Sequence, residues 1–167
     1  LNFAKPSKPE FLYEDLHAII SETVHLIKPE ISSRKINLSV DKQRENLPQT
    51  MVDRKQLKQV FLNVIYNAMQ AMPEGGILNI EIGQKSKEDK LVVKFKDSGC
   101  GIAAQDINKI FDPFYSTKPG GTGLGLAVSY NIIKNHEGEI NVISEPGRGT
   151  IIEICLPVRS TLSMQKA

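Results

Sequence analysis

The chain has 167 residues, with 21 lysines and arginines against 19 aspartates and glutamates, and a formal charge of +2 with the histidines neutral. That length fits one domain of ordinary size, and 40% apolar with 24% charged residues excludes both a disordered chain and one with an unbroken bilayer-spanning segment. Basic residues are scattered rather than clustered, so no nucleic-acid partner is expected, and Cys100 and Cys155 lack the close spacing of a zinc or dithiol pair, which predicts free thiols in a reducing compartment.

The chain opens on Leu1 rather than Met, which is read as a fragment of a longer protein. Residues 1–9, with Pro6 and Pro9, are expected to be the tail of an upstream helix and a linker. Leu16, Ile19, Ile20, Val24 and Ile27 recur at helical spacing, predicting a helix from Tyr13 to Lys28 that Pro29 ends. Ile36, Leu38 and Val40 alternate as in a strand. From Asp53 to Met72 the apolar residues form one helical stripe, with Asp53 placed as N-cap. Leu78, Ile80 and Ile82, then Leu91, Val93 and Phe95, alternate on either side of a polar turn and predict a β-hairpin. A further helix is expected from Leu124 to His136, followed by strands at Ile140–Ile143 and Thr150–Leu156. Residues 158–167 carry no apolar period and are read as a loose tail, leaving 10–157 as the domain. Helices and paired strands without strict alternation predict an α+β fold, a two-layer α/β sandwich with helices on one face of a mixed β-sheet.

Three stretches carry chemistry. Asn63 and Asn67 lie one turn apart on the long helix, where amide oxygens could share Mg²⁺ with substrate phosphates; a solvated polar face fits the same spacing. Asp97-Ser-Gly-Cys-Gly-Ile102 follows a strand, placing a carboxylate at a pocket edge able to accept from an adenine amine, with glycines that let a ring approach the backbone; a plain turn is the alternative. Gly120-Gly-Thr-Gly-Leu-Gly-Leu126 opens a helix and presents free N–H groups to phosphate. No strand precedes those glycines and no Walker P-loop occurs, so the dinucleotide and P-loop readings fail. Asp112 to Thr122 is short of apolar anchors, and a mobile lid is expected there. His17, His25 and His136 are read as surface or packing residues, and Cys100 as a small filler.

Together these stretches resemble the ATP-binding catalytic domain of two-component sensor histidine kinases, within the Bergerat-fold superfamily that includes gyrase, the heat-shock chaperone and mismatch-repair ATPases. Asn63-Val-Ile-Tyr-Asn67 resembles the N box, Asp97-Ser-Gly-Cys-Gly101 the G1 box, Phe111-Asp-Pro-Phe114 the F box, Gly121-Thr-Gly-Leu-Gly125 the G2 box and Gly147-Arg-Gly-Thr150 the last glycine motif. Leu1 to Pro6 is similar to the end of the family's dimerisation hairpin.

The resemblance implies ATP and Mg²⁺ as cofactors and an ATP lid over the site. It assigns the base to Asp97, Gly99, Gly101, Ile102 and Thr150, and the phosphates to Gly121, Thr122, Gly123, Leu124, Gly125 and Leu126. Tyr115 and Lys118 fall in the lid, Asn67 would hold Mg²⁺ with Asn63 assisting, and Gln70 stands where many relatives carry a basic residue. Asn63 and Lys118 are the candidate catalytic residues. Hydrolysing members carry a glutamate at the position of Asn63; an amide cannot act as a general base, so transfer is favoured over hydrolysis. No histidine here sits in an acceptor box, so the acceptor is expected on a helical hairpin upstream or in a partner chain, with a response regulator next. The resemblance further implies a cytoplasmic domain, a homodimeric parent protein and a candidate anchor in the inner membrane, while the fragment alone could be monomeric. A serine/threonine kinase of the anti-sigma-factor type and a nucleotide-sensing module without transfer are the alternatives.

Overall fold

The computed structural model describes residues 9–42, 47–85, 87–117 and 121–158. In chain order these form β1 (Leu12–Glu14), α1 (Leu16–Ser33), β2 (Ile36–Lys42), β3 (Thr50–Val52), α2 (Arg54–Ala71), β4 (Gly76–Lys85), β5 (Lys90–Asp97), α3 (Ala104–Ile107), α4 (Gly125–Asn135), β6 (Glu139–Glu145) and β7 (Gly149–Pro157). The expected hairpin end, linker and tail at 1–8 and 159–167 lie outside the described residues.

Five strands form one sheet in the order β2-β4-β5-β7-β6, with β2 and β4 parallel and every other pair antiparallel. A parallel pair needs a long crossover, and here β3 and α2 supply it. The α2 stripe is buried throughout: Leu57, Val60, Phe61, Val64, Ile65, Ala68 and Met69 all face the core. It packs on Leu78, Ile80 and Ile82 of β4 and on Phe95 of β5, whose ring centroid lies 5.7 Å from that of Phe61. The opposite sheet face is open and charged, with Lys85 and Lys94 both paired to Glu153 and Lys90 paired to Glu139. This is the expected two-layer α+β sandwich. Among the described residues, no helix is long and apolar enough to cross a membrane.

The first helix differs from expectation at both ends. Residues 12–14 pair with β3 as a short antiparallel strand, Tyr13 opposite Met51, and the helix starts after Asp15, whose side chain accepts from the His17 amide at 2.8 Å. Pro29 lies inside α1, which continues to Ser33. The bond Pro29 cannot donate would fall to the carbonyl of exposed His25 on the solvent side, while Ile27 and Ile31 stay buried. Packing of that buried edge outweighs the lost bond.

Asp53 joins several elements at once. Its carboxylate caps α2 through Gln56 N at 2.9 Å and holds Glu10 N at 2.8 Å, and its own N–H donates to His136 Nε2 at 2.9 Å. His136 Nδ1 therefore carries the ring proton and donates to Ile132 O at 2.8 Å, and the Phe11 ring packs against the imidazole tilted by 55°, with centroids 4.9 Å apart. Burial alone would push the Asp53 carboxyl up, but the backbone N–H groups of Gln56, Glu10 and Lys55 hold it below the ordinary aspartate range. Asp53→Ala should cost about 1–2 kcal/mol in urea unfolding near neutral pH. Because the folded carboxyl titrates lower than the unfolded one, the difference from the native chain should be full above the unfolded aspartate pKa of about 4 and shrink as pH falls through the folded value. A difference independent of pH down to acid unfolding would exclude the carboxylate as its source.

Candidate functional site

A cavity of about 480 Å³ opens between α2, the ends of β5 and β7, the loop after β5 and the N-terminus of α4. Asn63, Asn67, Gln70, Asp97, Gly101, Ile102, Tyr115, Gly121, Thr122, Gly123, Gly125, Leu126 and Thr150 all line it. Gly99 and Leu124 do not line it, and Lys118 lies outside the described residues.

At one end Asp97 is the last residue of β5, opposite Thr150 of β7 and 9% exposed. Its Oδ1 accepts from Gly99 N at 2.8 Å and Thr150 N at 3.2 Å. A Cβ on Gly99 would stand 2.6 Å from that of Ala71, so the missing side chain lets the loop press on the end of α2. Gly101 has φ +73° and would bring a Cβ to 2.1 Å from the Glu145 carbonyl oxygen. Cys100 is exposed at the cavity wall rather than packed as a filler, and its carbonyl accepts from Gly147 N at 2.8 Å. The β6–β7 turn thus clamps the loop. Ser144, in that clamp, accepts from Ile102 N at 2.8 Å.

At the other end Asn63 and Asn67 are half-buried on α2 and Gln70 is exposed. Asn63 Nδ2 donates to Gly125 O at 3.0 Å and to Ser129 Oγ at 3.2 Å, which fastens α2 to the first turn of α4. The N-cap of α4 is Leu124, whose side chain makes no capping bond, and the first-turn N–H groups have no intrahelical acceptor. Gly125 and Leu126, which begin that turn, are in the cavity wall. The positive end of the helix dipole therefore meets this end of the cavity.

The segment between α3 and α4 is fastened at its root. Phe114 N donates to Gly123 O at 3.0 Å, and Gly123, at φ +66°, would place a Cβ 2.4 Å from the Phe114 carbonyl carbon. Tyr115 OH donates to Asp106 Oδ1 at 2.6 Å, which raises the phenol above its ordinary value. Asp106, Ser144 and Ile152 carry no mark in the sequence. Each is an isolated residue in an unremarkable local pattern, and only its distant neighbours bring it to the site. Among the described residues, no group of three or more His, Cys, Asp or Glu side chains could hold a metal ion. Mg²⁺ bound with substrate phosphates needs only one or two protein oxygens, and the Asn67 amide in the wall fits that requirement.

A cavity with carboxylate and hydroxyl at one end and a helix N-terminus at the other, on a mixed sheet backed by helices, defines the class: a nucleotide-binding domain of Bergerat type. Residues 52–160 match the family described as histidine kinase-, DNA gyrase B- and HSP90-like ATPases, and the chain belongs to that family. Sporulation kinase E of Bacillus subtilis (strain 168) is 38% identical over 161 residues, which cover 95% of this chain and 21% of that one. The catalytic domain of histidine kinase ThkA superposes with a TM-score of 0.80 at 32% identity, covering 89% of this chain and 95% of the other. ThkA in complex with the response regulator protein TrrA superposes at 0.77 and 27% identity, covering 89% and 42%. The chain spans between 21% and 37% of the length of the curated relatives it matches.

Proposed function

We propose that this domain binds Mg²⁺-ATP in the cavity and passes the γ-phosphoryl group to a histidine on a helical hairpin of the same or a partner chain, from which a response regulator takes it. The observation that carries the reading is the polarity of one cavity. Acceptors stand at the Asp97 end and backbone donors at the α4 end, the order a nucleotide base and its phosphates require.

In the transfer, an imidazole nitrogen attacks the γ-phosphorus, the bond to the β-phosphate oxygen breaks, and ADP leaves. Such a step asks the protein mainly to position and to stabilise charge. Asp97 accepts from the adenine amine, while Gly125 and Leu126 at the start of α4 offer N–H groups to the phosphates. Asn67 would hold Mg²⁺, with Asn63 assisting, and the ion when bound supplies positive charge across the phosphate oxygens. Asn63 has no basic atom to activate water, and its Nδ2 is engaged by α4, which supports transfer over hydrolysis. Lys118 remains the candidate cation for the terminal phosphate. The response regulator held by ThkA supports the class of downstream partner. A cytoplasmic setting and a homodimeric parent follow from the same reading.

Calorimetric titration with ATP, with and without Mg²⁺ and with GTP as control, tests the proposal. Saturable, adenine-selective binding that strengthens with Mg²⁺ is expected. Asn67→Ala should weaken Mg²⁺-ATP binding about ten-fold and flatten its metal dependence. Binding that ignores metal in the native chain would remove Asn67 from its role, and no binding would overturn the proposal.

A further inference from the structure

Three hydrogen bonds converge on the Ser144 hydroxyl near the end of β6. Ile102 N donates to it at 2.8 Å, the Gly149 carbonyl oxygen lies at 2.9 Å, and Thr150 Oγ1 lies at 2.9 Å in the cross-strand pair Ser144–Thr150. A serine hydroxyl has one proton, and the Gly149 carbonyl can only accept, so that proton goes to Gly149. The remaining contact must then run from Thr150 to Ser144.

We infer that Ser144 is a positioning residue: by taking the Thr150 proton it leaves only lone pairs of that hydroxyl for the cavity, and so favours a purine bearing an amine over one bearing a carbonyl at its six-position. The inference rests on the ATP reading above. The surrounding backbone donors reinforce it, because Gly99 N and Thr150 N both turn inward to Asp97 Oδ1, and Ile102 N is taken by Ser144 itself. Asp97 and Thr150 are cross-strand partners, so the acceptor carboxylate and the oriented hydroxyl stand side by side. A six-carbonyl entering this end would meet lone pairs.

Titration of the chain with ATP and with inosine triphosphate, which carries a carbonyl in place of the amine, reads this directly. The native chain should prefer ATP. Ser144→Ala frees the Thr150 proton to turn into the cavity, and the ratio of the two dissociation constants should fall at least about five-fold, mostly through tighter inosine triphosphate binding. Ser144→Thr keeps the hydroxyl and should keep the ratio. A purely structural role would weaken both nucleotides together and leave the ratio unchanged, which would overturn the inference. Should Ser144→Ala fail to fold, Thr150→Val removes the hydroxyl itself; the ratio should fall without any gain for inosine triphosphate, and an unchanged ratio again overturns the inference. A native chain that binds neither nucleotide overturns the ATP reading and this inference with it, whereas ATP binding with a ratio insensitive to Ser144 overturns this inference alone.

Discussion

Asp97→Asn should lower ATP affinity at least about 100-fold while leaving the fold in place. The asparagine carbonyl can keep the two bonds that Asp97 Oδ1 makes, from Gly99 N at 2.8 Å and Thr150 N at 3.2 Å, so the junction of β5 with the following loop survives. Its second atom then becomes an NH₂ group, and an acceptor at the cavity wall is replaced by a donor that opposes the adenine amine. Charge is lost at the same atom. Calorimetry and thermal unfolding on the same protein separate the two effects. An unchanged affinity would remove the base from this end of the cavity, and a collapsed melting transition would make Asp97 a residue of the scaffold.

Gly149→Ala should destabilise the domain by about 3 kcal/mol and weaken ATP binding in parallel. At φ +86° an added Cβ would stand 2.0 Å from the Asp97 carbonyl oxygen and 3.1 Å from Ser98 Cα. These are backbone atoms, which cannot swing aside as a side chain would, so β7 must draw away from the end of β5. That displacement separates Thr150 from Asp97. Gly147 is the internal comparison: it also has positive φ, at +76°, but a Cβ there would meet nothing within 4 Å. Gly147→Ala should therefore cost only about 1 kcal/mol, the backbone part of the penalty. Equal urea midpoints for the two variants would show that the close approach at Gly149 carries no energy.

Local pattern made much of this architecture readable. The α2 stripe, its Asp53 cap and the β4–β5 hairpin follow from periods of three to four and of two that persist over many residues. Strands β1 and β3 are three residues each, too short to show a period, and their pairing joins Tyr13 to Met51 across all of α1 and β2. Pro29 signals an end to α1 that burial of Ile31 overrides. At the site, the glycines and the Asp97 and Asn67 positions stand out in the chain, but what each glycine meets does not. Gly101 faces the Glu145 carbonyl and Gly149 the Asp97 carbonyl, contacts made across the sheet. Ser144 carries no mark at all: it falls just past the strand expected at Ile140–Ile143, and its contacts exist only because Ile102 and Thr150 are folded against it.

The hydrogen bond from Phe114 N to Gly123 O ties together the two ends of the segment between them, and the bond from Tyr115 OH to Asp106 Oδ1 holds its first residues to α3. Gly123, set against Phe114 and Tyr115, locks the first of these ties from the other side. Doubling the length of such a loop adds only about 0.6 kcal/mol of closure entropy, and none of that cost reaches Phe61 or Phe95 in the core. The end of the cavity proposed for the phosphates can therefore change in length at little cost to the core. The end proposed for the base, wedged between two strand termini and a tight turn, has no such freedom.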